Sequence, residues 1–177
     1  MAGGVNLYIR LISMWISTLF KSRVSLLDEF RSRHRVLPGD LDPLGHMNNS
    51  RYFAFGDLAR IEMLTRAGGW RVFRRRKLHP VLAGETIQFR KALMPFERFE
   101  MRTRLAAWDH RFFYVEHRFM RGEEICALAL IKFWIVGSAR PAPAEFMRML
   151  GLEVEDTRGL DIVERWNESS DEHWARR

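Results

Sequence analysis

The sequence predicts an α+β fold in which a curved antiparallel sheet wraps around one long helix. The helical segment from about Asn49 to Ala67 is apolar around most of its circumference, which is typical of a deeply buried helix. Four segments with the two-residue alternation of strands follow it, and a weaker strand precedes it. With 177 residues, 47% of them hydrophobic, the chain is long enough for one such domain and short for two.

The first segment, Val5 to Phe20, has the pattern of an amphipathic helix, and we assign residues 1–24 to it. Its apolar face is formed by Tyr8, Leu11, Ile12, Trp15, Ile16 and Leu19. Asn6 and Arg10 interrupt the apolar run, which therefore falls short of the roughly 20 residues that span a bilayer. Such a helix can lie in a membrane interface, dock on its own domain or dock on a second subunit, and these alternatives stay open. We expect a cytoplasmic protein, with peripheral membrane contact through residues 5–20 as one of those alternatives.

The main domain is expected over residues 25–150. A short strand near Ser32 to Leu37 ends at the turn signal Pro38-Gly39, and the buried helix ends at Gly68-Gly69. The four strands that follow are Glu85 to Leu93, Phe99 to Ala107, Arg111 to Met120 and Glu124 to Val136. A short helix is expected from about Ala144 to Leu150, and the polar residues 151–177 are expected to form a loosely attached tail.

The stretch GDLDPLGHMNNSRY, residues 39–52, places polar side chains immediately before the buried helix. Asn48, Asn49 and Ser50 are good helix caps, and the first amides of a helix lack internal partners and carry partial positive charge. A carboxylate ahead of this terminus, such as Asp42, can attack an acyl carbon, or activate water against it, while the free amides bind the acyl oxygen. This is the chemistry of acyl transfer to water.

The same residues resemble a known family. The run DLDPLGHMNNSRYF is similar to the signature Asp-x-x-Gly-His-Val-Asn-Asn-x-x-Tyr of hotdog-fold acyl-CoA thioesterases of the 4-hydroxybenzoyl-CoA thioesterase class. The longer blocks RVLPGDLDPLGHMNNSRY and FEMRTRLAAWDHRFFYVEHRF, with ICAL, resemble the group called thioesterase superfamily member 6. The resemblance implies the hotdog fold, hydrolysis of an acyl thioester to a free acid and coenzyme A, and a homodimer or dimer of dimers with sites at subunit interfaces.

Three residues are the expected catalytic groups. Asp42 matches the aspartate that acts as nucleophile or general base in the family, with a turn-forming aspartate as the alternative. His46 is expected to orient the thioester or the attacking water, or to hold the loop. The backbone amide of Asn49, or of an immediate neighbour, is expected to polarise the acyl oxygen. The neighbouring Asp40 is expected to be exposed or to bond the loop.

The expected substrate-binding residues fall into two groups. Gly45 would let the backbone approach the acyl group, with a plain turn glycine as the alternative. Asn48 and Tyr52 belong to the same motif, with Asn48 favoured as a loop-fixing residue. The second group is the basic run Arg74, Arg75 and Arg76, which can take the phosphates of coenzyme A or simply be solvated. The substrate is therefore expected to be an acyl-CoA or an acyl-carrier thioester.

Other chemistries are disfavoured. The net charge of +7 suits a partner with phosphate or carboxylate groups, but no nucleic-acid-binding motif accompanies it. The sequence has a single cysteine, Cys126, and no metal-ligand spacing, so no metal or prosthetic group is expected. Asp57 and Glu62 on the buried helix are reserve carboxylates, for which pairing with Arg60 and Arg66 at helical spacing is favoured.

One alternative function stays open. A non-catalytic hotdog protein would bind acyl groups or lipids at a membrane surface and use Val5 to Phe20 as its anchor.

Overall fold

A computed structural model of the chain describes residues 2–18, 20–159 and 161–175, and for residues 2–7, 17 and 170–175 it describes the backbone alone. The strands are β1 (Phe30–Arg35), β2 (Leu78–Phe89), β3 (Arg98–Trp108), β4 (Phe113–Arg121) and β5 (Glu124–Gly137). The helices are α1 (Ala2–Thr18), α2 (Asn49–Arg66), α3 (Gly69–Arg76), α4 (Pro143–Met149) and α5 (Asp161–Ala175), with a 3-10 turn at Pro38–Asp40. The described strands form one antiparallel sheet in the order β1-β3-β4-β5-β2.

The long helix α2 packs against the sheet through an aromatic and aliphatic face. Its Phe55 ring meets Phe99 of β3 edge-on at 5.1 Å, and its Tyr52 ring meets Phe119 of β4 at 4.9 Å. Aromatic pairs at such distances add to the free energy already obtained by removing the rings from water. The predicted α+β arrangement of a curved antiparallel sheet around one long helix is confirmed.

Strand β2 begins at Leu78, earlier than the predicted start at Glu85. Its first half pairs with the end of β5, from Leu78 opposite Gly137 to Leu82 opposite Phe133, and the register then shifts before Gly84. This irregularity breaks the two-residue alternation on which the prediction relied. The sheet edge is therefore longer than the sequence pattern indicates.

The C-terminal segment contains helix α5, whereas the sequence predicts a loosely attached tail. Val163 is buried, and Trp166 packs beside it against the outer face of the sheet. Asn167 accepts a hydrogen bond from Lys132 Nζ (2.8 Å) and donates one to the Tyr114 hydroxyl (2.7 Å). Two apolar positions three residues apart are enough to dock a helix that is otherwise mostly polar.

Helix α1 docks on its own domain, which was one of the three open alternatives. Met14 is buried, Leu11 packs against the core, and the Arg10 guanidinium lies 4.8 Å from the centre of the Phe55 ring. Leu19, which the sequence places on the same apolar face, lies outside the described residues. Within the described parts of the chain, no helix is both long enough and apolar enough to cross a bilayer.

Candidate active site

The loop ahead of α2 is closed by short backbone contacts. Leu41 and Met47 form an isolated antiparallel bridge, and between them the Asp42 amide donates to the His46 carbonyl at 3.0 Å. Gly45 has φ +82°, a left-handed conformation that side chains other than glycine rarely adopt. The turn therefore folds back on itself and brings positions 42 and 46 together.

Asp42 and His46 form a side-chain pair at this turn. The Nδ1 atom of His46 lies 3.1 Å from Oδ2 of Asp42, and the two side chains are 31% and 15% exposed. The other carboxylate oxygen, Oδ1, accepts a hydrogen bond from the Leu44 amide at 2.9 Å. Asp42 thus both supports the turn and presents an oxygen next to an imidazole. A role in forming the turn is therefore compatible with a role as base or nucleophile.

The start of α2 follows His46 closely in the chain and supplies a free backbone donor. Asn48 is the N-cap: its Oδ1 accepts from the Ser50 amide at 2.9 Å, and its own amide donates to the Asp40 carbonyl at 2.9 Å. The next amide, at Asn49, has no hydrogen-bond partner among the residues that the structure describes. A free amide at a helix N-terminus is suited to bind an oxyanion.

Tyr52 lies under the loop, in the core. Its ring meets Phe89 at 5.0 Å as well as Phe119, and burial raises the pKa of its hydroxyl against a smaller opposing effect of a hydrogen bond with the backbone of Leu93. The Leu93 carbonyl in turn accepts a hydrogen bond from the Met47 amide at 2.9 Å. Tyr52 therefore stabilises the loop through packing and the Leu93 backbone, and its side chain is buried in the core.

Asp40 is a site residue that sequence reasoning undervalued. It is only 2% exposed, and its Oδ2 accepts hydrogen bonds from Arg10 Nη2 at 2.8 Å and from the Leu37 amide at 2.9 Å. Asp40 is expected from the sequence either to be exposed or to bond the loop, and the structure shows that it bonds the loop and is buried. Its partner Arg10 is remote in sequence, so no local pattern could have revealed the ion pair.

The basic run of α3 lies away from this loop within one chain. Arg74, Arg75 and Arg76 are exposed and follow the C-terminal end of α2. An α-helix of 18 residues is about 27 Å long, and the Asp42 turn lies at its other end. The structure does not bring these arginines together with Asp42 in a single protomer.

The reserve carboxylates of α2 are held by ion pairs. Asp57 pairs with Arg60, and Glu62 pairs with Lys21 Nζ (2.7 Å) and Arg66 Nη1 (3.8 Å). The predicted pairing at helical spacing is confirmed. These carboxylates therefore have cationic partners, whereas Asp42 lies beside the His46 imidazole.

Three comparisons relate this geometry to known proteins. The family model described as the thioesterase-like superfamily matches residues 36–151. Protein THEM6 of Xenopus laevis is 40% identical over 116 residues, which are 64% of this chain and 56% of that one. The chain spans 56% to 61% of the length of the three relatives of this name that it matches.

Solved structures of similar fold support the match. A hypothetical protein from Aquifex aeolicus superposes with a TM-score of 0.61 at 25% identity, over 68% of this chain and 98% of that one. YbaW, a probable thioesterase from Escherichia coli, superposes with a TM-score of 0.63 at 18% identity, over 68% and 94% of the two chains. The second likeness concerns the fold alone.

Proposed function

Because this chain belongs to the thioesterase-like superfamily and has the hotdog fold, we propose that it hydrolyses an acyl-CoA thioester to a free acid and coenzyme A. The observation that carries the proposal is the Asp42–His46 pair in the loop that leads to the free amide of Asn49. These groups supply a base and an oxyanion donor, which are the two requirements of acyl transfer to water. The reaction as proposed needs no metal and no prosthetic group.

The proposed step uses Asp42 as a general base. Asp42 takes a proton from water as the water oxygen bonds to the thioester carbon, and the resulting oxyanion accepts a hydrogen bond from the Asn49 amide. Collapse of this intermediate breaks the carbon–sulfur bond, and the proton held by Asp42 passes to the leaving thiolate. His46, 3.1 Å from Asp42, orients the carboxylate or the water. Direct attack by the carboxylate would instead break the carbon–sulfur bond, release the thiolate to be protonated by water, and leave an acyl-enzyme anhydride that water hydrolyses to the free acid and the Asp42 carboxylate.

A second protomer completes the site in this proposal. Strand β2 ends the sheet order, so one side of its backbone ladder faces away from the sheet, and it exposes Leu82 and Phe89. Pairing of two such edges would build a homodimer, and two dimers could associate further. The partner's basic helix could then supply Arg74, Arg75 and Arg76 to the coenzyme A phosphates, which these arginines do not approach within one chain.

The test is hydrolysis of a panel of acyl-CoA esters by Asp42→Asn, with release of free thiol as the readout. The amide keeps an oxygen for the Leu44 amide but cannot act as a base, so we expect turnover to fall about 100-fold or more. The control is Asp161→Asn, which removes an exposed carboxylate at the start of α5. Full activity in a folded Asp42→Asn protein would refute the assignment.

The membrane alternative is favoured by one specific observation. The face of α1 that points away from the domain exposes large apolar side chains: Tyr8, Ile9, Ile12, Trp15, Ile16 and, just beyond the helix, Phe20. Such a face suits the interface of a bilayer. In this second candidate function, the protein binds acyl groups or lipids at a membrane surface without hydrolysing them.

Flotation with liposomes separates the two candidates. We expect Ile12→Asp/Ile16→Asp to lose binding to liposomes, because two carboxylates oppose burial of the face in lipid. The matched control Leu27→Asp/Ile162→Asp adds the same charge at exposed apolar positions outside α1. Binding by the native chain without hydrolysis of any acyl-CoA would favour the second function.

A further inference from the structure

A cavity of about 550 Å³ lies between α1, β1 and α2, in the size range of small-molecule sites. Its lining includes neither Asp42 nor the residues at the start of α2. Arg10, held by its ion pair with Asp40, is part of its wall. The cavity is therefore separate from the candidate active site, and the inference below does not rest on the thioesterase proposal.

The inner wall of the cavity is apolar. Met14 of α1 and Leu58 and Ala59 of α2 line it, and all three are buried. Ile9, which is 60% exposed, lines it from the outer side of α1. An aliphatic chain would find an apolar surface here from the exposed side of α1 to α2.

The polar lining is dominated by cations. Arg33, Arg35 and Arg98 line the cavity from β1 and the start of β3, and all three are exposed. Lys21 and Glu62 also line it, paired to each other at 2.7 Å. Among the described lining residues the only carboxylate is Glu62, which already has a cationic partner, and Glu100, outside the lining, lies 3.9 Å from Arg33 at its exposed side chain. The remaining positive charge of the lining therefore suits an anion.

A hydroxyl and an imidazole add hydrogen-bonding groups to the lining, besides its apolar wall and its cations. Ser32 Oγ lies 2.8 Å from His34 Nε2 on one face of β1, and both residues line the cavity. Burial, and then the charges of Arg10 and Lys21, lower the pKa of His34 to about 4, so the ring is neutral near pH 7. A neutral ring and a hydroxyl can each serve as donor or acceptor to a head group.

We propose that this cavity binds a single-chain anionic amphiphile, with its aliphatic chain along Met14, Leu58 and Ala59 and its carboxylate or phosphate at Arg33 and Arg98. A free fatty acid and a lysophospholipid share this chemistry. The apolar surface of α1 adjoins the cavity at Ile9, so either ligand could enter from that side.

Calorimetric titration of the full chain with three probes, each below its micelle concentration, tests the head group. The probes are myristate, myristoyl lysophosphatidate and tetradecanol. We expect the anions to bind at least about tenfold more tightly than tetradecanol, because charge-assisted hydrogen bonds form only with them. Preference between the two anions identifies the source of the ligand, and equal binding of tetradecanol would overturn the proposal.

Charge variants locate the head group. Arg33→Glu/Arg98→Glu should weaken binding of both anions by about tenfold or more, since two attractive charges become repulsive. Arg90→Glu/Arg165→Glu makes the same change of net charge at exposed positions outside the lining and should bind as the native chain does. Equal loss in both double variants would indicate a general charge effect and overturn the assignment.

A bulky substitution locates the chain. Ser13 is exposed on α1 and lines the cavity, so Ser13→Trp should fill it and abolish binding, whereas Ile12→Trp on the adjacent exposed position should not. Asp42→Asn should bind the anions normally. If Asp42→Asn lost binding and Ser13→Trp kept it, myristate would be a product in the active site, and the cavity proposal alone would fail.

Discussion

At the scale of single residues, the two carboxylate oxygens of Asp42 have different partners. Oδ1 accepts from the Leu44 amide and so supports the turn, while Oδ2 faces His46 Nδ1. A carboxylate that was needed only for the turn would not require an imidazole at hydrogen-bond distance. This is why Asp42→Asn, which keeps the turn, is a sharper test than Asp42→Ala, which removes both contacts.

The cap of α2 gives a prediction for stability. Asn48→Ala removes the acceptor of the Ser50 amide, and we expect the free energy of unfolding to fall by about 1 kcal/mol. Asn48→Asp keeps an acceptor at the helix N-terminus and should unfold close to the native chain. Urea denaturation measures both, and an unchanged midpoint for Asn48→Ala would contradict the capping role.

His34 makes stability depend on pH. Its pKa is about 4 in the folded chain and near 6.5 when unfolded, so between these values the unfolded chain binds more protons. The contribution of neutral His34 to the free energy of unfolding is therefore intact above about pH 6.5. It is lost as the pH falls toward 4, by up to about 3 kcal/mol.

His34→Gln tests this dependence. Glutamine can still hydrogen-bond Ser32 but does not titrate, so the free energy of unfolding should decline less between about pH 7 and pH 4.5 than in the native chain. Buried His117, whose pKa is also lowered, leaves a remaining slope in both proteins. Identical slopes for the two chains would show that His34 is not the group involved.

At the scale of secondary-structure elements, the Arg10–Asp40 ion pair connects α1 to the loop that contains Asp42. Arg10 Nη2 donates to Asp40 and to the Arg35 carbonyl, and the Asp40 carbonyl accepts the amide of Asn48, the cap of α2. A displacement of α1 therefore strains the segment that holds Asp42. This contact couples the helix with the exposed apolar face to the proposed chemistry.

Arg10→Ala tests the coupling. It removes the 2.8 Å partner of the buried Asp40 carboxylate and leaves Arg51, whose Nε lies 4.0 Å from Oδ1, so we expect a loss of about 2 kcal/mol in stability, together with lower thioesterase activity. Adding Asp40→Asn removes the buried negative charge that has lost this partner and should restore part of the stability. The control Arg23→Ala removes an exposed cation and should change neither property. Additive losses in the Arg10/Asp40 double variant would argue against the pair.

At the scale of the whole molecule, the exposed edge of β2 predicts the oligomeric state. We expect light scattering to give twice the 21.0 kDa mass of the chain. Leu82→Lys/Phe89→Lys places charges on that edge and should yield monomers with lower activity toward acyl-CoA. Leu27→Lys/Ile162→Lys, at exposed positions outside β2, should stay dimeric. A monomeric and fully active native chain would refute an interface site.

Local patterns predicted most of the fold and part of the site. The caps and apolar face of α2, the alternation in β3, and the loop with Asp42, His46 and Asn48 all depend on residues a few positions apart. The physical chemistry of such contacts is encoded in a short stretch of sequence. The family signature lies in the same stretch, which is why the loop could be recognised before its geometry was known.

The sequence by itself therefore determined the class of the fold and the composition of the candidate site. The tertiary structure decided the burial of Asp40 against Arg10, the register shift that lengthens β2, the docking of α5 and the distance of Arg74–Arg76 from Asp42. Each of these depends on contacts between residues remote in sequence or on the direction in which an element leaves its neighbour. Such contacts form only when the chain packs, and no pattern within a short window specifies them.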